Sequence, residues 1–490
     1  MKKINVFQSL INVKTLLLLL TPLLLINCGG GGGSEDPTPK TTPTPTLTVS
    51  PLTLSLDDMT TEEVITITTT ESWTATNTAD WLDVSVTSGQ GDSTLNINVS
   101  ANETTSERST DITITAGTLT KVISISQSGS VPSADYDIPP NTTGMRDINS
   151  NAFTDLMGVG FNIGNSLDAV GGETAWGNPL ITKPLVDAIK AAGFDSVRLP
   201  VAWSQFSDEE NFIIKTEWLS RVEEVVNYAL DNDMYVMMNI HWDGGWMQPT
   251  NADKDYVNNR LAIMWQQIAT HFRDYDDRLL FAGTNEVMVT GDYSTPTEEY
   301  YTIQNSFNQT FIDTVRKTGG RNVYRQLIVQ GFNTNIDHTV NFATIPDDST
   351  PNRLMMEVHY YDPYQFTLEE GNDDTSQWGE SATEVDKTAG WGDESAVDSQ
   401  FLKMRENFYD QGIGVILGEF GVISRTQVTD HEQYRIAWNE YITQAAIDKK
   451  MVPFYWDNGY TDNHSFGLFE RASGEEIYPE LIDAITKASF

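Results

Sequence analysis

The chain has 490 residues, with 69 acidic residues against 30 lysines and arginines and a formal net charge of −39. This acidity excludes tracking along a nucleic-acid backbone, which requires a basic surface. The single cysteine excludes a disulfide framework and a cysteine-cluster metal site. The length is sufficient for more than one domain with a large core.

The first segment, residues 1–27, has the composition of an export signal. Lys2, Lys3 and Lys14 precede an apolar run over 16–26. This run is too short to span a bilayer as a helix. The run ends next to Cys28, the only cysteine of the chain. The segment resembles a bacterial lipoprotein signal, which implies lipidation of Cys28 and contact with a membrane only through that lipid anchor.

Residues 28–46 are rich in Gly, Pro and Thr, a composition typical of an extended tether. The acidic pair Glu35 and Asp36 follows the cysteine closely and resembles an export signal of surface-displayed lipoproteins. We therefore expect an extracytoplasmic lipoprotein, on the cell surface or at the outer membrane.

Residues 47–129 alternate apolar and polar side chains in short segments, such as 64–69, 95–101, 110–116 and 121–127. This pattern, interrupted by turn residues, predicts an all-β sandwich with Trp73 and Trp81 in its core. The two tryptophans, together with Ser88, Gly89, Asn102, Arg108 and Gln127, resemble a BACON domain, an immunoglobulin-like module. Such a domain is either a spacer or a carbohydrate binder, and the sequence leaves both open.

Residues 130–143 have the composition of a second linker, and 144–490 alternate short apolar runs with amphipathic stretches. Eight such runs are predicted to be strands buried on both faces, beginning near residues 158, 195, 234, 279, 326, 354, 414 and 451. Eight strands with intervening helices predict a (β/α)8 TIM barrel, giving an α/β fold behind the β-sandwich. An open doubly wound sheet is the rival, but no Gly-rich phosphate loop follows the first strand.

Each predicted barrel strand ends in polar or aromatic residues, and strand ends at this face of a barrel build one common site. Glu286 ends the fourth strand and Glu419 the seventh, so their side chains can converge across the barrel mouth. Paired carboxylic acids can protonate a leaving oxygen and stabilise an oxocarbenium-like transition state, as hydrolysis of an acetal requires. The alternative for either residue is a salt bridge to a neighbouring arginine.

The barrel resembles glycoside hydrolase family 5, in its endo-β-1,4-glucanase and xyloglucanase branch. The resemblance is carried by residues 164–168 (GNSLD), 197–200 (VRLP), 239–242 (NIHW), 284–286 (TNE), 358–361 (VHYY) and 417–421 (LGEFG). It implies that Glu286 is the general acid/base and Glu419 the nucleophile of a retaining mechanism.

The supporting residues follow from these roles. We expect Arg198 to lower the pKa of Glu419, and Tyr361 to donate a hydrogen bond to the same carboxylate. The adjacent negative charge and burial are expected to raise the pKa of Glu286, which must hold a proton. Asn285 is placed to bond the 2-hydroxyl of the substrate. His241 and His359 are expected to flank the scissile bond. No HExxH or similar spacing is present, so we expect neither a metal nor another cofactor.

Trp242, Trp246 and Trp456 are predicted sugar-stacking platforms, and Asn165 a further substrate-binding residue. Four tryptophans lie in helical or post-strand segments and are predicted to pack in the core: Trp203, Trp218, Trp265 and Trp438. Trp176, Trp378 and Trp391 lie in loops, the last two in a long insertion over 362–396, where they either line distal subsites or pack.

The leading hypothesis is an endo-acting β-glucanase that cleaves internal β-1,4 linkages with net retention. The acidic surface favours an uncharged polymer over a uronan, and cellulose-type chains, mixed-linkage glucan and xyloglucan remain open. An endo-β-mannanase and a non-catalytic glycan-capture lipoprotein are the alternatives. A monomer that binds no nucleic acid is expected.

Overall fold

The computed structural model describes residues 45–57, 60–102, 107–128, 138–371 and 373–488. The predicted signal peptide, Cys28 and the tether up to residue 44 lie outside the described residues, as does 130–137 of the predicted linker. Within the described residues, no helix combines the length and the apolar composition needed to cross a membrane.

The first described domain is a two-layer β-sandwich. One sheet has the strand order β1-β3-β7-β5 and the other β2-β9-β8-β4-β6. The strands are β1 (Leu47–Ser50), β2 (Thr53–Leu56), β3 (Glu62–Thr69), β4 (Ser72–Thr76), β5 (Leu82–Val84), β6 (Ser88–Gln90), β7 (Ser93–Val99), β8 (Arg108–Ala116) and β9 (Leu119–Gln127). Strands such as β3 and β7 alternate buried and exposed residues, because one face of each sheet packs on the other sheet. The predicted sandwich is confirmed.

The core of the sandwich contains one of the two predicted tryptophans. Trp73 is 1% exposed, and a side chain at Gly89 would collide with its ring. Trp81 is only partly buried, packs against the edge of the core and carries the guanidinium of Arg108 over its ring at 4.5 Å. The prediction that Trp81 fills the core is therefore wrong in part, because an arginine covers its outer face.

The second domain is a closed barrel of eight parallel strands in chain order, as predicted. The strands are β10 (Gly160–Ile163), β11 (Ser196–Leu199), β12 (Tyr235–Asn239), β13 (Leu279–Ala282), β14 (Leu327–Gln330), β15 (Leu354–Tyr360), β16 (Gly414–Phe420) and β17 (Met451–Asp457). Residues 138–143 already contact this domain, since the amide of Asn141 donates to the carbonyl of Gly320.

Helices connect or flank the barrel strands, and each is buried in part against the rest of the domain. They are α1 (Ser150–Thr154), α2 (Lys183–Ala191), α3 (Thr216–Leu230), α4 (Lys254–His271), α5 (Glu298–Lys317), α6 (Ile336–Phe342), α7 (Tyr364–Thr367), α8 (Glu394–Asn407), α9 (His431–Asp448) and α10 (Pro479–Thr486). A short hairpin of β18 (Phe469–Glu470) and β19 (Glu475–Glu476) follows the last barrel strand. Gly193 has a φ of 106° just after α2, which is the left-handed conformation expected of a glycine that ends a helix.

The barrel interior changes from apolar to polar along its axis. At the amino-terminal end, Met237, Leu280, Ile328, Met355 and Ile416 pack into one buried apolar cluster. Because side chains two residues apart in a strand point to the same side, the next inward positions form a second layer. That layer is polar and buried: Asn239, Gln330 and Glu357, with Asn162 and Arg198. The apolar end is therefore a packed plug, and the polar end supports the site.

Candidate active site

Glu419 lies near the carboxyl end of β16, and its side chain is 7% exposed. Its Oε1 is 2.8 Å from the Arg198 guanidinium, and its Oε2 accepts a 3.1 Å hydrogen bond from the Tyr361 hydroxyl. Both contacts were predicted from the sequence, and the geometry confirms them. Burial raises the pKa of the Tyr361 hydroxyl well above its usual range, so this group remains a donor.

Arg198, on β11, is completely buried and holds several side chains at once. Its guanidinium donates to Asn162 Oδ1 at 2.9 Å and to Asn285 Oδ1 at 2.7 Å, and its Nε lies 2.9 Å from Glu357 Oε1. Since the Asn285 oxygen is taken by Arg198, the amide nitrogen is the part of Asn285 that can donate to a ligand. The Asn285 amide nitrogen is therefore available for the predicted hydrogen bond to a sugar hydroxyl.

Arg198 lowers the pKa of Glu419, as predicted, but other influences outweigh it and the net shift is upward. Burial is the largest influence and raises this pKa, while His359 and Arg198 lower it and Glu286 raises it again. Removing this carboxylate from water costs more than the adjacent imidazole and guanidinium return, and the neighbouring carboxylates of Glu286 and Glu357 add to the cost.

Glu286 follows β13 on the facing side of the barrel and is the more accessible acid, with a side chain 39% exposed. Its Oε1 lies 2.6 Å from His359 Nδ1. Carboxylate oxygens of Glu286 and Glu419 and a ring nitrogen of His359 all lie within 4.8 Å of one another. The two acids therefore meet over one small volume, at a spacing close to that of a retaining pair, about 5 Å.

Two residues that hold this site, Glu357 and Gln330, were not among the predicted site residues. Glu357 is completely buried, and its carboxylate contacts Arg198, His359 Nε2 at 3.3 Å and Gln330 Nε2 at 2.6 Å. The sequence does carry a signal for Glu357, since it is a charged residue inside an otherwise apolar strand. Gln330 carries a weaker one, as a polar residue that ends β14.

The protonation of His359 follows from its neighbours. Burial would lower its pKa, but the carboxylates of Glu419, Glu286 and Glu357 outweigh burial and raise it to about 9. An imidazolium has no free nitrogen lone pair, so it cannot ligate a metal. Among the described residues, Glu286, His359 and Glu419 form the one group close enough to hold an ion, and its chemistry favours proton transfer instead.

His241 lies beside this cluster in a different state. It is 9% exposed, and burial together with the positive charges of Arg198 and His359 lowers its pKa well below the usual value. Its Nδ1 is 3.2 Å from the Asn239 amide, and its ring lies parallel to that of Trp456 with centroids 5.8 Å apart. His241 is therefore neutral, and it contributes a flat ring beside Trp456 and no charge to the site.

The predicted sugar platforms differ in exposure. Trp242 is 55% exposed, whereas Trp246 is partly buried, bonds Asp243 through its indole nitrogen and carries Arg260 over one face at 4.4 Å. Trp246 thus has at most one face for a sugar. Asn165 is partly buried, with a left-handed φ of 55°. The substrate contacts of Trp242, Trp246, Trp456 and Asn165 stay predictions.

The other tryptophans divide clearly by burial. The four predicted packing residues are all buried: Trp203, Trp218, Trp265 and Trp438. In the insertion 362–396, Trp378 is 4% exposed and donates to the Gly392 carbonyl, so it packs within the insertion. Trp391 and Trp176 are 47% and 38% exposed and remain accessible to a ligand.

Comparison with known proteins agrees with this geometry. Residues 160–462 match the cellulase family, glycosyl hydrolase family 5, and 71–128 match the BACON family, described as a putative N-terminal binding domain. The chain is 43% identical to a xyloglucan-specific endo-β-1,4-glucanase of Bacteroides ovatus, over 85% of this chain and 86% of that protein. It is 38% identical to endoglucanase A of Paenibacillus barcinonensis, over 72% of this chain and 93% of that protein.

Solved structures give the same result. A family 5 xyloglucanase of Bacteroides ovatus in complex with a XXXG heptasaccharide superposes with a TM-score of 0.70 at 41% identity, over 90% of this chain and 99% of that chain. A broad-specificity endoglucanase from Bacteroides salanitronis gives a TM-score of 0.67 at 38% identity, over 72% of this chain and 98% of that chain. The chain therefore belongs to glycosyl hydrolase family 5, with a BACON domain ahead of its catalytic barrel.

Proposed function

We propose that Glu286 and Glu419 are the general acid/base and the nucleophile of a retaining reaction in this chain. The chain is an endo-β-1,4-glucanase, since its barrel is of family 5 and its relatives at 43% and 38% identity are endoglucanases. The observation that carries the residue assignment is the meeting of the two carboxylates within 4.8 Å.

The proposed reaction has two steps. A protonated Glu286 gives its proton to the glycosidic oxygen while a Glu419 oxygen attacks the anomeric carbon, so the glycosidic bond breaks and a glycosyl ester forms. Water then attacks the same carbon, Glu286 takes its proton, and the Glu419 carboxylate is released. Arg198 and Tyr361 hold the Glu419 carboxylate, and the Asn285 amide donates to the 2-hydroxyl.

The roles can be tested with Glu419→Ala, which we expect to lower kcat by about 10^4-fold or more because no nucleophile remains. Azide should restore turnover and yield a glycosyl azide of inverted configuration. Glu406→Ala, at an exposed position on α8, is the matched control and should retain full activity. Normal activity in Glu286→Gln or Glu419→Gln would overturn the assignment.

We propose that the substrates are plant β-1,4-glucans, with xyloglucan first among them. A relative with 43% identity is named xyloglucan-specific, and a chain of charge −39 does not repel an uncharged glucan. The test measures new reducing ends from tamarind xyloglucan, barley β-glucan, carboxymethylcellulose and galactomannan. Highest activity on galactomannan would favour the mannanase alternative, and no activity on any polymer would favour glycan capture.

We propose further that the protein is a surface lipoprotein anchored at Cys28. Three features support this proposal: the apolar run over 16–26, the cysteine two residues after it and the Gly/Pro/Thr-rich segment that follows. Metabolic labelling with a radioactive fatty acid should mark the wild-type protein and leave Cys28→Ala unmarked. Equal labelling of the two proteins would contradict the anchor.

We propose that the BACON domain is a spacer. One of its tryptophans is buried and Arg108 covers the other, so neither offers a free ring to a sugar. In affinity electrophoresis, residues 45–128 should migrate equally with and without xyloglucan in the gel. Clear retardation would favour the binder instead.

A further inference from the structure

We propose that Glu357 is a positioning residue, which holds the His359 side chain so that Nδ1 faces both catalytic carboxylates, whichever of the two is ionised. This inference rests on the proposed roles of Glu286 and Glu419 and assigns a function to a residue beneath them.

Glu357 is placed to hold two cations with one oxygen. Its Oε1 lies 2.9 Å from Arg198 Nε and 3.3 Å from His359 Nε2, while its Oε2 accepts from Gln330 at 2.6 Å. The residue is completely buried, and a buried carboxylate is tolerated when such partners surround it. The backbone of β16 packs directly on this carboxylate, since a Cβ at Gly418 would lie 2.0 Å from Glu357 Oε1.

The opposite edge of the His359 ring faces both catalytic acids. Nδ1 is 2.6 Å from Glu286 Oε1 and 3.6 Å from Glu419 Oε2. Each ring nitrogen therefore faces carboxylate oxygen, and only the imidazolium can donate from both nitrogens. With Nε2 held by Glu357, Nδ1 stays within 3.6 Å of both acids.

The proposed reaction moves one negative charge between the two acids. Before the first step Glu419 is ionised and Glu286 is protonated. In the glycosyl-enzyme Glu419 is a neutral ester and Glu286 has lost its proton. The charge of Glu357 stays the same in both states, so Arg198 and His359 always keep one ionised partner. A partner that is already in place requires no reorganisation when the charge moves.

The groups that face His359 come from several strands. Three carboxylates act on it directly: Glu286 after β13, Glu419 on β16 and Glu357 on β15. His241 after β12 senses its charge, and Arg198 on β11 and Tyr361 after β15 contact Glu419 beside it. Tyr361 and His241 are neutral, because burial raises the pKa of the first and lowers that of the second. Glu357 is therefore the one carboxylate of this group that takes no part in bond making or proton transfer.

The test is an NMR titration of the His359 ring in the wild-type chain and in Glu357→Gln, with the signal assigned by its loss in His359→Asn. We expect the ring to lose its proton at least about one pH unit lower in Glu357→Gln, as removal of an adjacent opposite charge predicts. We also expect kcat to fall about tenfold, with KM changed by less than about threefold.

Asp457→Asn is the matched control, because Asp457 is also a completely buried carboxylate, paired with Arg471 at 2.7 Å. It should destabilise the protein without moving the His359 titration. An unchanged His359 titration in Glu357→Gln would overturn the proposal. If Glu357→Gln does not fold, the wild-type spectrum at pH 7 decides, since two ring N–H signals of His359 support the proposal and one contradicts it.

Failure of this inference differs from failure of the proposed function. The ring titration is measured without substrate, and loss of turnover in Glu419→Ala with rescue by azide would stand whatever the His359 titration shows.

Discussion

The two ends of the barrel each bury an arginine but give it different partners. At the amino-terminal end, Arg325 is completely buried and donates to five backbone carbonyls and to the Asn322 side chain. At the carboxyl-terminal end, Arg198 is equally buried but contacts the carboxylates of Glu357 and Glu419. A backbone carbonyl is neutral at any pH, whereas a carboxylate loses its negative charge when it gains a proton or forms an ester.

This difference explains how one barrel separates stability from chemistry. Around Arg325 every partner is a backbone carbonyl or an amide oxygen, and such groups do not titrate. Around Arg198, burial and like charges raise the pKa of Glu419 while opposite charges lower it. Similar buried polar networks are therefore expected to respond differently to mutation and to pH.

The largest effect should come from Arg198→Met. We expect kcat to fall about 10^3-fold, because removing a preorganised charge at a reacting group costs that order. The comparison variant Arg325→Met leaves several buried carbonyls without a hydrogen-bond donor, so its Tm should drop by about 5 °C or more. Its kcat per folded molecule should stay near the wild-type value. Steady-state kinetics and calorimetry on both variants test this, and comparable losses of kcat would contradict the separation.

A smaller effect is expected from Tyr361→Phe. The lost hydrogen bond goes to a carboxylate, and such bonds contribute about 1.5–3 kcal/mol, so kcat should fall about tenfold or more. The matched variant Tyr235→Phe removes a hydroxyl that accepts from Arg146 at 2.8 Å at the other end of the barrel. It should leave kcat unchanged, and an equal loss in both variants would show that the effect is not local to Glu419.

Exposed aromatic residues at the catalytic end should change binding and not folding. Trp242→Ala should raise KM for a polymeric glucan about threefold, with stability unchanged within about 0.5 kcal/mol, since Trp242 is 55% exposed. Trp378→Ala, in the buried part of the insertion, should instead cost about 3–5 kcal/mol of stability. Kinetics with long and short substrates and denaturant unfolding distinguish the two outcomes.

The smallest effect is a pH dependence of stability. Burial lowers the pKa of His359, but the adjacent carboxylates outweigh burial and raise it to about 9. An unfolded histidine has a pKa of about 6.5. The folded chain therefore holds a proton that the unfolded chain has lost, so this stabilisation is complete below about pH 6.5 and disappears as pH rises through about 9. Tm measured from pH 6 to 9.5 should fall by a few degrees less in His359→Gln than in wild type. Identical slopes would contradict a charged His359.

The order of the barrel strands and the two acids could be predicted from local patterns. Unbroken apolar runs are typical of strands buried on both faces, and Glu286 and Glu419 each follow such a run. Arg198 and Tyr361 could also be placed, because they lie at or near the carboxyl ends of barrel strands, which meet at one rim. Glu357 carries a local signal as a charged residue within a buried strand, but its partners could not be predicted, since they come from three other strands and from His359.

The exposure of the tryptophans could not be predicted either. Trp378 and Trp391 lie in the same loop with similar neighbours, yet one is 4% and the other 47% exposed. Trp81 and Trp246 are each covered by an arginine that is distant in sequence or on a following helix. Burial of a large ring depends on what packs over it, and that is a property of the folded chain.

The sequence by itself determined the barrel, the sandwich and the two acids that face each other, because strand periodicity and strand ends are local properties of the chain. Only the tertiary structure decided the raised pKa of Glu419, the charge of His359 and the part played by Glu357. These depend on distances of a few ångströms between residues far apart in the chain, and on how much water the fold excludes from them.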